Sequence, residues 1–169
     1  MDILNQYSYF VISLGILAGI ILVLRYFSVS RRVIFSAVLG LAALILIGFF
    51  LLRPGFSDVN DVATARNIIQ NGRPTMLEFF SNYCAGCMAV RPVVEELVSD
   101  IEGEFNVIRV DIHSDTGREL RQQLAFSYTP EFILFNQNGE EVWRAHVPPG
   151  ETELELAHQE QTAVSLETP

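Results

Sequence analysis

The sequence predicts an α/β domain with a mixed central sheet and flanking helices, preceded by a two-helix transmembrane hairpin. Two observations predict this fold class. Residues 1–53 contain two long apolar runs without charge, whereas residues 54–169 alternate between strand-like and helix-like patterns. The predicted order in the second part is helix, strand, helix, strand, helix, strand, strand, helix. Such alternation, closed by a hairpin, is typical of a mixed sheet with helices on both faces.

The two apolar runs have the length of membrane-spanning helices. Residues 7–24 and 33–52 carry no charge over 18 and 20 positions. At about 1.5 Å per residue they reach roughly 27 and 30 Å, close to the hydrocarbon core of a bilayer. A cleaved signal peptide would have a basic start and a small-residue cleavage site, whereas this start holds only Asp2. A buried helical hairpin is the other alternative, but the remaining chain is too small to cover one.

The charges of the hairpin predict its orientation. The link 25–32 carries three arginines, and positive charge is retained on the cytoplasmic side of a membrane. We therefore expect the link in the cytoplasm and the domain on the extracytoplasmic side. Arg53, at the other end of the second run, lessens the difference in positive charge between the two sides. Residues 1–53 have a net charge of +3 and residues 54–169 a net charge of −12. The acidic second part argues against nucleic-acid binding, which needs a basic surface.

The rest of the chain divides into a linker (54–57), a domain (58–160) and a flexible tail (161–169). Apolar spacing and turn signals predict its elements. Pro92 lies within a predicted helix and is expected to kink it. Asn138-Gly139 joins the last two strands, as is typical of a hairpin. The predicted helices are 58–70, 88–101, 115–126 and 151–159, and the predicted strands are 75–80, 106–112, 131–135 and 141–147.

The only two cysteines lie in one tetrad, Cys84-Ala85-Gly86-Cys87, between an apolar strand and a helical pattern. This excludes a disulfide-stapled scaffold and a four-cysteine zinc site. A zinc site would also need the three histidines, which are scattered far downstream (His113, His146 and His158). A structural disulfide would close a ring too small to remove much chain entropy. The tetrad therefore predicts a redox dithiol and no metal.

The predicted helix start gives the two cysteines different roles. The first-turn amides and the helix dipole favour a thiolate at Cys84, and the thiolate is the nucleophile in disulfide exchange. Cys87 lies one turn further along the helix. It can therefore attack the mixed disulfide that Cys84 forms with a partner.

Residues 58–159 resemble a thioredoxin domain in the order and spacing of several motifs. The residues that carry the resemblance are Met76-Leu77-Glu78-Phe79-Phe80, Tyr83-Cys84-Ala85-Gly86-Cys87, Pro92, Val107-Ile108-Arg109-Val110-Asp111, Thr129-Pro130 and Asn138-Gly139-Glu140. The resemblance implies the thioredoxin fold. It also implies that Cys84 attacks, that Cys87 resolves, and that a cis Pro130 faces the dithiol while the backbone of Thr129 pairs with substrate. An ordinary strand-edge proline is the alternative for Pro130.

The resemblance also implies supporting residues. Glu78 matches a buried acid, whose desolvation would raise its pKa and let it accept the Cys87 proton, directly or through water. A solvent-facing Glu78 is the alternative. Arg109 matches a position that often holds lysine, and a pair with Glu78 would oppose the effect of burial. Tyr83 matches the aromatic residue before the first cysteine.

The chain departs from the thioredoxin pattern at two places near the dithiol. Ala85-Gly86 separates the cysteines where cytosolic thioredoxin has Gly-Pro. Glu131 follows the cis proline, where threonine is usual, and we expect its charge beside the substrate groove to bias partner choice and to raise the pKa of Cys84.

The combined prediction is a membrane-tethered thiol–disulfide oxidoreductase that acts outside the cytoplasm and reduces disulfides of exported thiol proteins. Its expected partners are those substrates, a transmembrane electron-transfer protein that re-reduces the dithiol, and the lipid bilayer. No cofactor is implied beyond the redox-active Cys84–Cys87 disulfide. One alternative is an oxidase or isomerase with the same dithiol. The other is a non-catalytic thioredoxin-like binding module.

Overall fold

The computed structural model describes residues 3–158, so the predicted flexible tail at 161–169 lies outside the described residues. The order of elements after residue 53 is the predicted one. The helices are α1 (Ile3–Gln6), α2 (Ser8–Tyr26), α3 (Arg31–Leu52), α4 (Val62–Ile69), α5 (Ala85–Asp100), α6 (Asp115–Gln123) and α7 (Glu151–His158). The strands are β1 (Thr75–Phe80), β2 (Asn106–Asp111), β3 (Glu131–Phe135) and β4 (Glu141–Ala145).

The four strands form one mixed sheet in the order β2-β1-β3-β4. Strand β1 is parallel to β2 and antiparallel to β3, and β4 closes the sheet as the second strand of the predicted hairpin. All six residues of β1 are buried, as expected for a central strand covered on both faces. The predicted mixed sheet with helices on both faces is confirmed.

The two faces of β1 pack against different helices. Leu77 and Phe79 belong to a cluster that includes residues of α4 and α6. Met76 and Glu78 lie on the opposite face of the sheet. There Met76 packs with residues of α5 and α7. Phe80, on the same face as Met76, packs against both cysteines at the end of the strand. The alternation of β1 therefore places Glu78 on the face of the sheet that carries the dithiol.

At three places a predicted helix bound differs from the structure by three or four residues. Helix α4 begins at Val62, because Asp58 is bonded to β2 instead: its amide donates to the Arg109 carbonyl (2.9 Å) and its carboxylate accepts from the Arg109 amide (2.8 Å). Asp61 then caps the helix by accepting a hydrogen bond from the Thr64 amide. Helix α5 begins three residues earlier than predicted and continues through Pro92. Helix α6 ends early, and the chain turns at Ala125, which has a φ of 51°.

Helices α2 and α3 form an antiparallel hairpin whose apolar side chains point mostly outwards. With 19 and 22 residues, both are long and apolar enough to cross a membrane. The hydroxyl of Tyr9 in α2 donates a hydrogen bond to the carbonyl of Ile45 in α3. The start of α2 and the end of α3 lie at the same end of the hairpin, next to the α/β domain.

Candidate active site

Cys84 is the N-cap residue of α5. Its backbone is extended, and its Sγ accepts a hydrogen bond from the Cys87 amide at 3.4 Å. The two cysteines and Phe80 form one small buried cluster, in which Cys84 is 1% exposed and Cys87 is fully covered. The predicted position of Cys84 at the start of a helix is confirmed.

The surroundings of the two thiols shift their pKa values in opposite directions. The hydrogen bond from the Cys87 thiol lowers the pKa of Cys84 to about 5, and hydrogen bonds from the Cys87 and Gly86 amides act in the same direction. Burial raises the pKa of Cys87 well above its usual range, and the neighbouring Cys84 raises it further. At neutral pH the site therefore holds one thiolate, at Cys84, and one thiol, at Cys87.

Thr129 and Pro130 lie against the first turn of α5. The peptide bond between them is cis, as the resemblance implies, and the Thr129 carbonyl lies 3.7 Å from Cys84 Sγ. A Cβ placed on Gly86 would lie 3.5 Å from Pro130 Cδ and 3.6 Å from Cys84 Sγ. The proline ring therefore faces the dithiol and forms one wall of the site.

Glu78 and Arg109 are paired across the parallel strands β1 and β2. Arg109 Nε donates to Glu78 Oε2 at 2.7 Å, and the Glu78 side chain is 1% exposed. Burial raises the pKa of Glu78, and the attraction of Arg109 offsets part of that rise. The guanidinium of Arg109 also lies 5.8 Å from the ring centre of Phe80, which packs against the cysteines. Glu78 is therefore a buried acid on the dithiol side of the sheet, not a solvent-facing one.

The prediction that the charge of Glu131 lies beside the substrate groove is wrong. Glu131 pairs in register with Phe79, so its side chain lies on the face of the sheet opposite the dithiol. There it is 1% exposed, accepts a hydrogen bond from Ser127 (2.9 Å) and forms an ion pair with Arg144 (3.0 Å). Its charge is neutralised inside the fold and does not line the substrate groove.

Tyr83 packs against the apolar hairpin. Its ring stacks on Tyr7 and Phe49, with centroid distances of 5.5 and 6.0 Å, and it also lies near His113 (5.5 Å). The hydroxyl of Ser81 lies 3.2 Å from the His113 ring, whose pKa is lowered by burial. Tyr83 therefore connects the cysteine loop to the predicted membrane anchor.

Several residues at the site were not predicted. Asn5 bonds to the backbone of Thr129, 124 residues away, and Ser8 bonds to the amide of Ala85. Asn82 exchanges two hydrogen bonds with Gly55 and so attaches the linker to the cysteine loop. Polar residues beside an apolar run are the only local signal for Asn5 and Ser8. Within residues 3–158, no group of three or more His, Cys, Asp or Glu side chains is arranged to hold a metal ion.

Replacing Gly86 with proline should raise the pKa of Cys84. Proline has no N–H, so the variant loses the Gly86 amide that stabilises the thiolate, while the first turn of a helix tolerates the ring. One amide hydrogen bond corresponds to a rise of up to about one pH unit. The pH dependence of thiolate absorbance measures this shift. Gly86→Ala is the matched control, because it keeps the amide and its Cβ fits at 3.5 Å. Equal values in the two variants would contradict the role of this amide.

Comparison with known proteins identifies the domain. A model of the thioredoxin family matches residues 58–157. Thioredoxin of Rickettsia bellii is 26% identical over 50% of this chain and 78% of its own length. The bifunctional thioredoxin reductase/thioredoxin of Mycobacterium leprae is 29% identical over 52% of this chain, which spans only 18% of that protein.

A third relative matches a longer part of the chain. The thiol:disulfide interchange protein TxlA homolog of Synechocystis sp. is 25% identical over 78% of this chain and 73% of its own length. Residues 58–169 make up about two thirds of the chain, so this match extends into the apolar hairpin. With a family match over more than half of its length and a paired thiolate and thiol at Cys84 and Cys87, the chain belongs to the thioredoxin family of thiol–disulfide oxidoreductases.

Proposed function

We propose that this protein is tethered to a membrane and reduces disulfides of exported proteins outside the cytoplasm. One observation carries the proposal. The pKa of Cys84 is lowered and that of Cys87 is raised, and both cysteines lie where two apolar helices meet the domain. The thiolate supplies the nucleophile. The apolar helices supply the anchor.

The site supports a two-step exchange. The Cys84 thiolate attacks one sulfur of the substrate disulfide, the substrate S–S bond breaks, and the departing sulfur leaves as a thiolate that takes up a proton. Cys87 then loses its proton and attacks Cys84 Sγ, which releases the second substrate thiol. The substrate gains two electrons and the protein is left with a Cys84–Cys87 disulfide. Glu78, with its raised pKa, is the group we propose to accept the Cys87 proton, directly or through water.

The contacts between the domain and the hairpin support a membrane-facing dithiol. Ser8, the first residue of α2, accepts a hydrogen bond from the Ala85 amide at 2.9 Å. Arg91 of α5 donates to the carbonyls of Leu51 and Arg53, at the end of α3 (2.8 and 2.9 Å). A dithiol at this place lies close to the bilayer surface. An integral membrane protein that carries electrons across the membrane is therefore the proposed reductant.

Protease access tests the proposed sidedness. The three arginines of the link 25–32 favour a cytoplasmic link and an extracytoplasmic domain. Protease added to the outside of spheroplasts should therefore degrade the thioredoxin domain. A domain that stays protected until the membrane is permeabilised would contradict the orientation.

Disulfide oxidation or isomerisation is the second candidate, because the low pKa of Cys84 stabilises the reduced dithiol and so makes the disulfide more oxidising. Equilibration of the full-length protein with glutathione buffers separates the candidates. A potential near that of thioredoxin, about −270 mV, would support the reductase. A potential near about −120 mV would support an oxidase instead.

A non-catalytic binding module is the remaining alternative. It would require two thiols of equal reactivity, which the opposite pKa shifts of Cys84 and Cys87 oppose.

A further inference from the structure

The dithiol is covered by the part of the chain that leads into α2. Residues 5–9, here called the capping segment, lie against the loop before Cys84, the first turn of α5 and Thr129. In this arrangement Cys84 is 1% exposed. A thiolate that has to meet the sulfur of another protein is thus screened by the protein's own chain.

The side chain of Asn5 bonds to the backbone of Thr129 in the way that the backbone of a neighbouring strand would. Its side-chain oxygen accepts the Thr129 N–H at 3.1 Å, and its side-chain nitrogen donates to the Thr129 carbonyl at 3.0 Å. Paired residues of antiparallel strands exchange the same two bonds. The Asn5 oxygen also accepts the Thr129 hydroxyl at 3.0 Å. An extended segment of another protein therefore cannot pair with Thr129 while Asn5 is bound.

The rest of the capping segment binds the cysteine loop. Ser81 Oγ donates to the Gln6 carbonyl (3.1 Å), and the Tyr9 amide donates to the Tyr83 carbonyl (3.1 Å). Tyr7 stacks on Tyr83 with a centroid distance of 5.5 Å. Together with Asn5 and Ser8, these contacts cover the dithiol on the Thr129 side and on the Tyr83 side.

We propose that the capping segment is an internal competitor for the substrate groove, so that the dithiol is latent until the segment leaves. The proposal rests on the proposed function and concerns its regulation. Exchange requires the substrate sulfur to approach Cys84 Sγ to bonding distance, which the covered state prevents. The occupant that replaces the segment is an extended polypeptide that pairs with Thr129 and places an apolar or aromatic side chain on Tyr83.

Alkylation of Cys84 in the full-length protein tests this proposal. The reaction with iodoacetamide is followed by mass spectrometry over a range of pH. Its plateau, well above the Cys84 pKa of about 5, reports access to the thiolate and not its ionisation. Asn5→Ala removes three hydrogen bonds to Thr129 and should raise the plateau rate about five- to tenfold. Adding Tyr7→Ala, which removes the stack on Tyr83, should raise it further.

Asn60→Ala is the matched control, because Asn60 is an exposed asparagine outside the capping segment and the groove. The plateau rate of this variant should equal that of the unaltered protein. Plateau rates within twofold of one another for the unaltered protein and the Asn5→Ala/Tyr7→Ala variant would overturn the proposal. Alkylation needs no disulfide substrate and no electron donor, so this result does not depend on the proposed function. Faster alkylation in the variants, with no insulin reduction by any of them, would support latency and contradict the reductase.

Discussion

Replacing Cys84 with serine should abolish catalytic disulfide reduction, lowering turnover by about a thousandfold or more, because a hydroxyl is not ionised at neutral pH and cannot attack a disulfide. The measurement is insulin reduction, with dithiothreitol as the electron source, by the full-length protein carrying Asn5→Ala and Tyr7→Ala, so that the proposed latency does not limit turnover. The unaltered thiolate at Cys84, with a pKa of about 5, is fully formed under these conditions.

Cys87→Ser is the matched variant for that experiment. It leaves the nucleophile in place and removes the resolving thiol. When the reduced variant is freed of dithiothreitol and then mixed with the substrate, a mixed disulfide between Cys84 and the substrate should therefore accumulate. Mass spectrometry detects the adduct. If the Cys84 variant keeps its turnover, or if it traps the adduct while the Cys87 variant does not, the assigned roles are wrong.

Replacing Arg109 with methionine should lower the free energy of unfolding by about 3 kcal/mol at pH 8, because removing one partner of a buried ion pair leaves the other uncompensated. Glu78 is 1% exposed and Arg109 17% exposed, so water replaces the lost partner poorly. Methionine keeps most of the side-chain length that packs near Phe80, so the loss reports mainly the charge. Denaturant titration followed by the fluorescence of Trp143, the only tryptophan, measures the change.

The effect of the Arg109 variant should depend on pH. Burial already raises the pKa of Glu78, and removing Arg109 takes away the attraction that opposes this rise. A carboxyl whose pKa is higher in the folded state destabilises the fold as pH rises from the unfolded pKa through the folded one. The loss should therefore be smaller at pH 5 than at pH 8.

Arg118→Met serves as the control for Arg109→Met, since Arg118 pairs with Asp115 on the surface, and its loss should stay within about 0.5 kcal/mol. A loss below about 1 kcal/mol for Arg109→Met, or one independent of pH, would contradict the coupling with Glu78.

The order of elements was predictable from the sequence because it follows from local patterns. The nearly continuous apolar run 75–80 indicates a central strand, and Asn138-Gly139 indicates the hairpin that joins β3 to β4. The apolar pattern of α5 begins at residue 88, and the helix itself begins three residues earlier, directly after Cys84. Helix ends were less accurate, since the end of α6 and the start of α4 depend on a turn at Ala125 and on hydrogen bonds between Asp58 and β2.

The burial of individual charges required the structure. Glu78 and Glu131 are both acidic residues within apolar strands, and the apolar pattern of these strands does not distinguish them. Register places Glu78 beside Arg109 on the dithiol side, whereas it places Glu131 on the opposite side with Arg144. Strand register depends on which strands pair, which is a property of the whole sheet.

The sequence by itself determined the family, the dithiol and its place at a helix start, the acid at Glu78 and the two apolar helices. These are local features of composition and spacing. Only the tertiary structure showed that the capping segment covers Cys84, because its contact with Thr129 joins residues 124 positions apart. No periodicity or motif in the sequence predicts the pairing of Asn5 with Thr129. It arises when the apolar hairpin and the thioredoxin domain pack against each other and their polar groups find partners across the contact.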